Sequence, residues 1–381
     1  MAGIYIHIPF CKQRCNYCDF YKTTQVLKKP ELVEALKTEL RQRKNWLDGD
    51  TVKTIYFGGG TPSLLSIAEI NGIIDAIYSN YKVNSDTEIT LESNPDDLTK
   101  SQIQKLKQTA VNRLSIGIQS FQNKQLKTMN RRHNSAQAIA CVKEAQDAGF
   151  SNISTDLIYG LPDLSMEIWE HDLNQMLKLN IQHLSAYHLT YEEGTVFDTM
   201  LKKGALKPIT EQTSVNQFKA LLKWAKDNNF EHYEISNFAK NGYYSKHNTS
   251  YWQQEKYLGI GPSAHSYNID TRSWNVANLG KYLAGIEKAQ PYFDSETLSE
   301  TDKYNEFLMT WMRTRWGVSL KKVGEIFGTL REKYLLQALQ PFIAAGSVYL
   351  KNENVILSDE GVFISDLILA DLILIAPGNE R

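Results

Sequence analysis

The stretch Tyr5–Tyr21, YIHIPFCKQRCNYCDFY, begins as a strand and ends as a loop crowded with thiols. Ile4, Ile6 and Ile8 alternate with Tyr5 and His7, the two-residue period of an extended chain. Pro9 stops the strand, and Cys11, Cys15 and Cys18 follow in the spacing C-x3-C-x2-C. One short loop with that spacing turns all three sulfurs toward a common point. Three thiolates are one short of the four that complete a usual iron–sulfur or structural zinc site. A [4Fe–4S] cluster held by three cysteines keeps one iron open to an outside ligand. The competing reading is a structural zinc completed by His7 or Cys141, with a disulfide ranking behind both.

At 381 residues the chain can bury a large core and has the length of two or three domains. Lys and Arg total 42 against 43 Asp and Glu, a net charge of -1, so no basic face points to a nucleic-acid partner. Three of the 4 cysteines share one loop, which is the pattern of a reducing, cytoplasmic setting and not of a secreted disulfide scaffold. The first strand begins within a few residues of Met1, leaving no room for a signal or transit peptide. The apolar run 362–376 is broken by Asp366 and Asp371. It is shorter than a span of roughly 20 residues, so it predicts a packed C-terminal helix and no transmembrane segment. The 20 tyrosines and 7 tryptophans offer flat, amphipathic surface for a large ring ligand, although most such rings are core or rim.

From this strand onward, extended runs at 4–8, 52–57, 88–92, 114–118, 153–158 and 183–189 alternate with helical ones. The helices are expected at 31–47, 67–77 and 101–111, in a stretch that Gly149 ends, and at 166–179. Six βα units in series predict an α/β fold, a partial (β/α)6 TIM-like barrel with parallel strands and helices outside. Chemistry in such barrels sits at the carboxyl ends of the strands. There fall the cysteine loop, Gly58–Gly60 with Thr61, Glu92, Gln119, Asp156 and Thr190, one group per strand. Beyond these come a helix at 212–228, a strand at 232–235, a polar loop at 241–254 and a glycine-rich turn at 258–263. Helices at 302–313, 320–327 and 334–344, then a hairpin at 348–357 turning at 352–354, predict a smaller C-terminal helical, winged-helix-like domain. Without a basic recognition helix, it would be a lid or docking module. The expected organisation is a core barrel at 1–235, an accessory segment at 236–295 and this last domain at 296–381.

Three adjacent glycines after a buried strand let the backbone approach a ligand closely, and free N–H groups there bind carboxylates; a tight βα turn is the plain alternative. Glu92, in TLESNP, can accept hydrogen bonds from a ribose or an ammonium, or simply cap the next helix. Gln119, Arg131 and Asp156 are individually ordinary polar groups at a barrel mouth. Cys141, in AIACVKEA, has the setting of a small buried thiol. In Lys246–Trp252, KHNTSYW, His247 can ligate a haem iron as a neutral imidazole, with Tyr251 and Trp252 packed on the macrocycle. By themselves these residues favour a loop anchored by Trp252 and closed by the His247–Asn248 pair.

The C-x3-C-x2-C run with Tyr17 before its last cysteine resembles the signature of the radical S-adenosylmethionine (SAM) superfamily. YIHIPFCKQRCNYC, YFGGGTPSLL, LESNPDDL, RLSIGIQSF and TDLIYGLP, in that order, resemble the oxygen-independent coproporphyrinogen III dehydrogenases and their relatives. The resemblance implies that Cys11, Cys15 and Cys18 hold a [4Fe–4S] cluster and that Tyr5, Gly59 and Glu92 contact the SAM bound to it, with Tyr17 stacked beside it. A second SAM site would map onto Gly60, Thr61, Gln119, Arg131, Asp156, Thr190 and His265. The dehydrogenase branch carries a further cysteine two residues after the third, where this chain has Asp19-Phe20, and a long N-terminal extension; this chain starts almost at the cluster strand. His247-Asn248-x-x-Tyr251-Trp252 instead resembles the haem-binding signature of the HemW-type haem chaperones, reversing the local preference for that segment. The implied function is haem binding and delivery to an acceptor apo-protein, including a membrane-bound respiratory one; coproporphyrinogen III dehydrogenation is the alternative.

Overall fold

The computed structural model describes residues 2–375. Six parallel strands lie side by side in chain order: β1 (Ala2–Ile8), β2 (Val52–Gly59), β3 (Val83–Ser93), β4 (Arg113–Gln119), β5 (Asn152–Tyr159) and β6 (His183–His188). The crossovers carry α1 (Lys29–Gln42), α2 (Ile67–Asn80), α3 (Lys100–Leu106), α4 (Asn123–Thr128), α5 (Ser135–Asp147) and α6 (Met166–Lys178). This is the α/β architecture predicted from the six alternating units. Side chains alternate along each strand. Ile4, Ile6, Ile55, Phe57, Ile89, Leu91, Leu114, Ile116, Ile153 and Leu157 enter the apolar core under the helices. The opposite face carries Thr54, Tyr56, Glu88, Thr90, Arg113, Ser115, Ser154, His183 and Ser185, also buried. One face is therefore a hydrophobic seam, and the other lines a polar interior.

Several elements differ from expectation. The first helix ends at Gln42 and not at 47, and the stretch before Gly149 is two helices, α4 and α5. Asn134 caps α5 reciprocally with Gln137, so the chain restarts a helix there. After α7 (Val196–Lys202) and α8 (Glu211–Asp227), β7 (Glu231–Glu234) and β8 (Asn237–Ala239) extend the sheet beyond β6 in antiparallel fashion. The expected polar loop at 241–254 contains α9 (Lys246–Trp252), started by Ser245 Oγ accepting from Asn248 N at 3.3 Å. The expected glycine-rich turn at 258–263 is mostly strand: β9 (Lys256–Ile260) pairs parallel with β1. Gly259 serves close strand approach there, because an added Cβ would lie 2.0 Å from His265 O. β10 (His265–Tyr267), β11 (Thr271–Asn275) and, after α10 (Leu279–Lys288), β12 (Phe293–Thr297) complete a 12-stranded sheet.

The C-terminal part has its own core around Tyr304, Leu308, Leu339, Val355 and Leu372. Its order is α11 (Glu300–Trp311), β13 (Val318–Ser319), α12 (Leu320–Phe327), α13 (Thr329–Ala344), β14 (Val348–Lys351) and β15 (Asn354–Leu357), the succession of a winged helix. Asn352 and Glu353 both take positive φ at 51° and 63°, as the two-residue hairpin requires. The single helix expected at 362–376 is divided into α14 (Asp359–Phe363) and α15 (Ser365–Leu372), and its last residue lies outside the described ones. Leaving helical geometry at Ile364 lets Ile368, Leu369 and Leu372 enter the local core.

Glu39 of α1 joins barrel and extension. It is fully buried, accepts from Gly261 N at 2.8 Å, Tyr282 OH at 2.6 Å and Asn275 Nδ2 at 2.8 Å, and lies 3.7 Å from Arg43. Glu39→Ala would remove the carboxylate beside the buried Arg43 guanidinium and leave the Gly261 N–H and the Tyr282 hydroxyl without an acceptor. The expected loss is about 3–5 kcal/mol, with Glu39→Gln losing less, measured by chemical denaturation followed by circular dichroism.

Candidate cluster and cofactor site

The thiol loop leaves β1 at Pro9 and closes on itself before α1. Cys11 N donates to Thr23 O at 2.9 Å and Thr23 N to Pro9 O at 2.7 Å. Asn16 reaches the end of α4 through Met129 O at 3.1 Å and Thr128 O at 2.8 Å. Lys12 pairs with Asp97 at 2.8 Å, and Phe197 N donates to Asn16 O at 2.9 Å. Three other segments thus hold the loop before any ligand arrives.

Cys11 is buried, Cys15 and Cys18 are half-buried, and all three are free thiols. Thr61 Oγ1 donates to Cys11 Sγ at 3.5 Å, and Arg131 Nη1 to Cys15 Sγ at 3.4 Å. Burial raises the Cys18 thiol, while the Lys22 ammonium lowers it. Burial likewise raises Cys11, and the nearby Cys15 and Cys18 raise it further, so the three sulfurs feel one another. Each thiol has a hydroxyl, guanidinium or ammonium partner suited to a thiolate. The sulfurs do not gather around one single-ion site among the described residues, whereas in a [4Fe–4S] cluster each thiolate takes its own iron. His7 has its ring nitrogens on Tyr5 OH and Tyr21 O, both at 3.1 Å, and Cys141 is 2% exposed in the core. Neither residue of the zinc alternative turns to the thiols. The donor set fits a three-cysteine cluster.

Around this loop the strand ends assemble a mouth. Gly59 has φ +108°, and a Cβ on it would meet the His7 ring at 2.6 Å. Its N–H donates to Glu92 Oε2 at 3.2 Å, while Tyr56 OH donates to Glu92 Oε1 at 2.8 Å. A Cβ on Gly60 would lie 2.8 Å from the backbone of Pro9 and Phe10, so the glycine turn seats directly against the root of the thiol loop. Gln119 ends β4 with φ +70°. Arg131 donates to Asn94 Oδ1 at 2.6 Å and Gly117 O at 2.5 Å. Half-buried Tyr17 lies near Cys15 and Arg131. The Ser185 and Ser115 hydroxyls near Asp156 ease its carboxyl down against the rise that burial causes. Thr190 is exposed just past β6, farther out than the others.

Sequence reasoning missed the group that sets the charge here. Arg113, 1% exposed, projects into the interior among Glu88, Glu92 and Asp156. Burial raises all three carboxyls. The Glu92 value reaches about 7, helped by the Asp156 charge, and Asp156 reaches about 6, eased by Ser185, Arg113 and Arg131. With more carboxyls than guanidinium groups in the interior, the pocket favours a cationic ligand such as an ammonium or sulfonium. The available signal was polar residues at alternate positions of otherwise apolar strands, Arg113 and Ser115 in β4 above all.

His247 lies elsewhere. It is 1% exposed beneath the mouth, with Nδ1 on Thr54 Oγ1 and Nε2 on Tyr251 OH, each at 2.8 Å. It stacks on Tyr56 with ring centroids 5.0 Å apart, and burial with the Arg113 charge holds its pKa down at about 3.

Comparison with known proteins defines the class first: residues 5–176 match the radical SAM superfamily, and residues 298–364 match the HemN C-terminal domain. The heme chaperone HemW of Bacillus subtilis is 35% identical over 96% of this chain and 100% of its own length. HemW of Escherichia coli is 37% identical over 82% of both. The chain belongs to the HemW family of radical SAM proteins. Membership of the superfamily implies a [4Fe–4S] cluster and SAM. The E. coli coproporphyrinogen III oxidase HemN shares the fold, with a TM-score of 0.85 over 98% of this chain and 90% of its own at 22% identity.

The raised Glu92 carboxyl gives a pH signature. Its folded value, about 7, exceeds the ordinary 4.5, so the folded chain binds more protons between them and loses stability as pH rises through that window. Thermal melting of the metal-free protein is expected to fall from pH 5 to pH 8, and Glu92→Gln to flatten that slope. A slope unchanged by the substitution would remove the carboxyl from this role.

Proposed function

We propose that this chain binds haem and delivers it to acceptor apo-proteins, with a [4Fe–4S] cluster and SAM held at the barrel mouth. The observation that carries this reading is the 35% identity to a heme chaperone across 96% of the chain. Asp19-Phe20, where the dehydrogenase branch has its further cysteine, favours the same branch. The cargo is haem. The acceptor is an apo-protein met in the cytoplasm, including one at the membrane surface; no described helix is long and apolar enough to cross a membrane.

Cys11, Cys15 and Cys18 would hold the cluster, which when bound supplies an electron to the SAM sulfonium. Gly59, Glu92 and Tyr5 would orient the amino end of SAM, the Glu92 carboxylate matching its ammonium. Tyr17 would flank it. Gly60, Thr61, Gln119, Arg131, Asp156 and Thr190 would bound a second SAM or the outer part of the site. For His247 to bind iron, Tyr251 would have to give up its hydrogen bond and the ring would have to leave the barrel. Its supported role is to brace the floor of the site through Thr54, Tyr56 and Tyr251.

Two measurements on one anaerobic preparation test this. The reconstituted chain is expected to take up about one haem, as a single site implies, seen as a Soret band in a spectral titration. Cys15→Ala is expected to abolish retention of iron and sulfide, by elemental analysis. Absence of haem uptake together with CO2 release from coproporphyrinogen under reduction with SAM would replace the carrier reading with the dehydrogenase one.

A further inference from the structure

The geometry points to His265 as the protein ligand of the haem iron, with Trp274 beside it. This assignment rests on the reading of the chain as a haem carrier, supplies the ligand position that buried His247 does not offer, and replaces the second-SAM contact that the resemblance implied for His265.

The placement follows from strand register. Tyr5 of β1 is opposite Gly259 of β9, Tyr257 is opposite Tyr267 of β10, and His265 is opposite Trp274 of β11. Residues paired across strands share a face, as do residues two apart along one strand. His265 and Trp274 therefore stand on the face that Tyr5 and Tyr56 present to the interior. Ser273 points the other way, where Arg43, just past α1, donates to Ser273 Oγ at 2.7 Å. Two strand spacings, roughly 10 Å, separate His265 from Tyr5 along the sheet. Gly259 lies between them, and the His265 carbonyl fills the place its Cβ would take. His265 opens β10 just after the turn in which a Cβ on Gly261 would lie 2.6 Å from His7 O, and the register sets it level with Tyr5 in the body of β1.

The chemistry of His265 contrasts with that of His247. His265 is exposed, and its ring has no hydrogen-bond partner among the described residues. It stacks on Trp274 with centroids 6.5 Å apart and 29° between planes. Partial burial and the Arg272 charge lower its pKa, so it is neutral at pH 7, as an iron ligand must be. An imidazole with a free nitrogen and an indole at its side form one edge of a flat-ligand site. The HNxxYW helix packs beneath this edge: Tyr251 meets Tyr257 edge-on at 4.5 Å, and Tyr257 lies 6.1 Å from Tyr267. That motif would thus support the haem surface from below, while its histidine stays inside the barrel.

The test titrates free ferric haem into the full-length, cluster-reconstituted chain and into His265→Ala. Wild type is expected to give a histidine-ligated Soret band. His265→Ala is expected to shift the band and weaken affinity by about tenfold or more, roughly 1.4 kcal/mol, and added imidazole to restore the wild-type spectrum. Trp274→Leu is expected to weaken affinity with the band position unchanged. A His265→Ala spectrum and affinity equal to wild type would overturn the assignment, as would a loss that imidazole does not repair. Failure of wild type itself to bind haem would overturn the carrier reading instead.

Discussion

A strand inside a parallel sheet has two faces, and in this chain they meet opposite environments. Alternate residues of β1 to β5 meet either a shell of helices or a polar interior, and a slip of one residue in any pair would exchange the two. Isoleucines and leucines on one face make that exchange prohibitively costly. The polar residues on the other are thereby fixed in height as well as direction. Glu92, Ser115 and Asp156 reach the mouth because Ile89, Leu91, Ile116 and Leu157 cannot leave the core.

That rigid register is the frame on which the thiol loop is hung. The loop has little apolar content of its own and takes its shape from hydrogen bonds to Asp97 beyond β3, to the end of α4 and to the start of α7. Its sulfurs meet donors from the turn after β2 and from the segment after α4. Below them the interior holds more carboxyls than Arg113 can neutralise, and burial has already raised those carboxyls. A positively charged ligand at the mouth relieves that excess, so the electrostatics and the cluster geometry select the same chemical class.

The parts legible beforehand were those in which one residue's neighbours in sequence are also its determinants. The period-two pattern of β1 to β6, the helical period of α2 and the cysteine spacing are local, and each survived into the structure. Gly259 was not legible, because a glycine that permits close strand approach and a glycine that makes a turn have the same local surroundings. Only the His265 carbonyl lying where a Cβ would stand distinguishes them. Arg113 was passed over for a related reason: a lone basic residue in a strand has no meaning until the acids facing it come from other strands. HNxxYW was visible as a motif, but its direction was not.

By itself, the sequence determined that a parallel α/β core carries a three-thiol loop after its first strand, because strand period, proline placement and cysteine spacing act within a few residues. Tertiary structure alone decided which histidine is enclosed and which is exposed. His247 and His265 are 18 residues apart in the chain, and both precede small polar residues. Packing against Thr54, Tyr56 and Tyr251 occupies both nitrogens of the first, while the register of β9, β10 and β11 leaves the second on an open face. Burial and pairing across distant strands are cooperative properties of the assembled sheet, and no short window of sequence contains them.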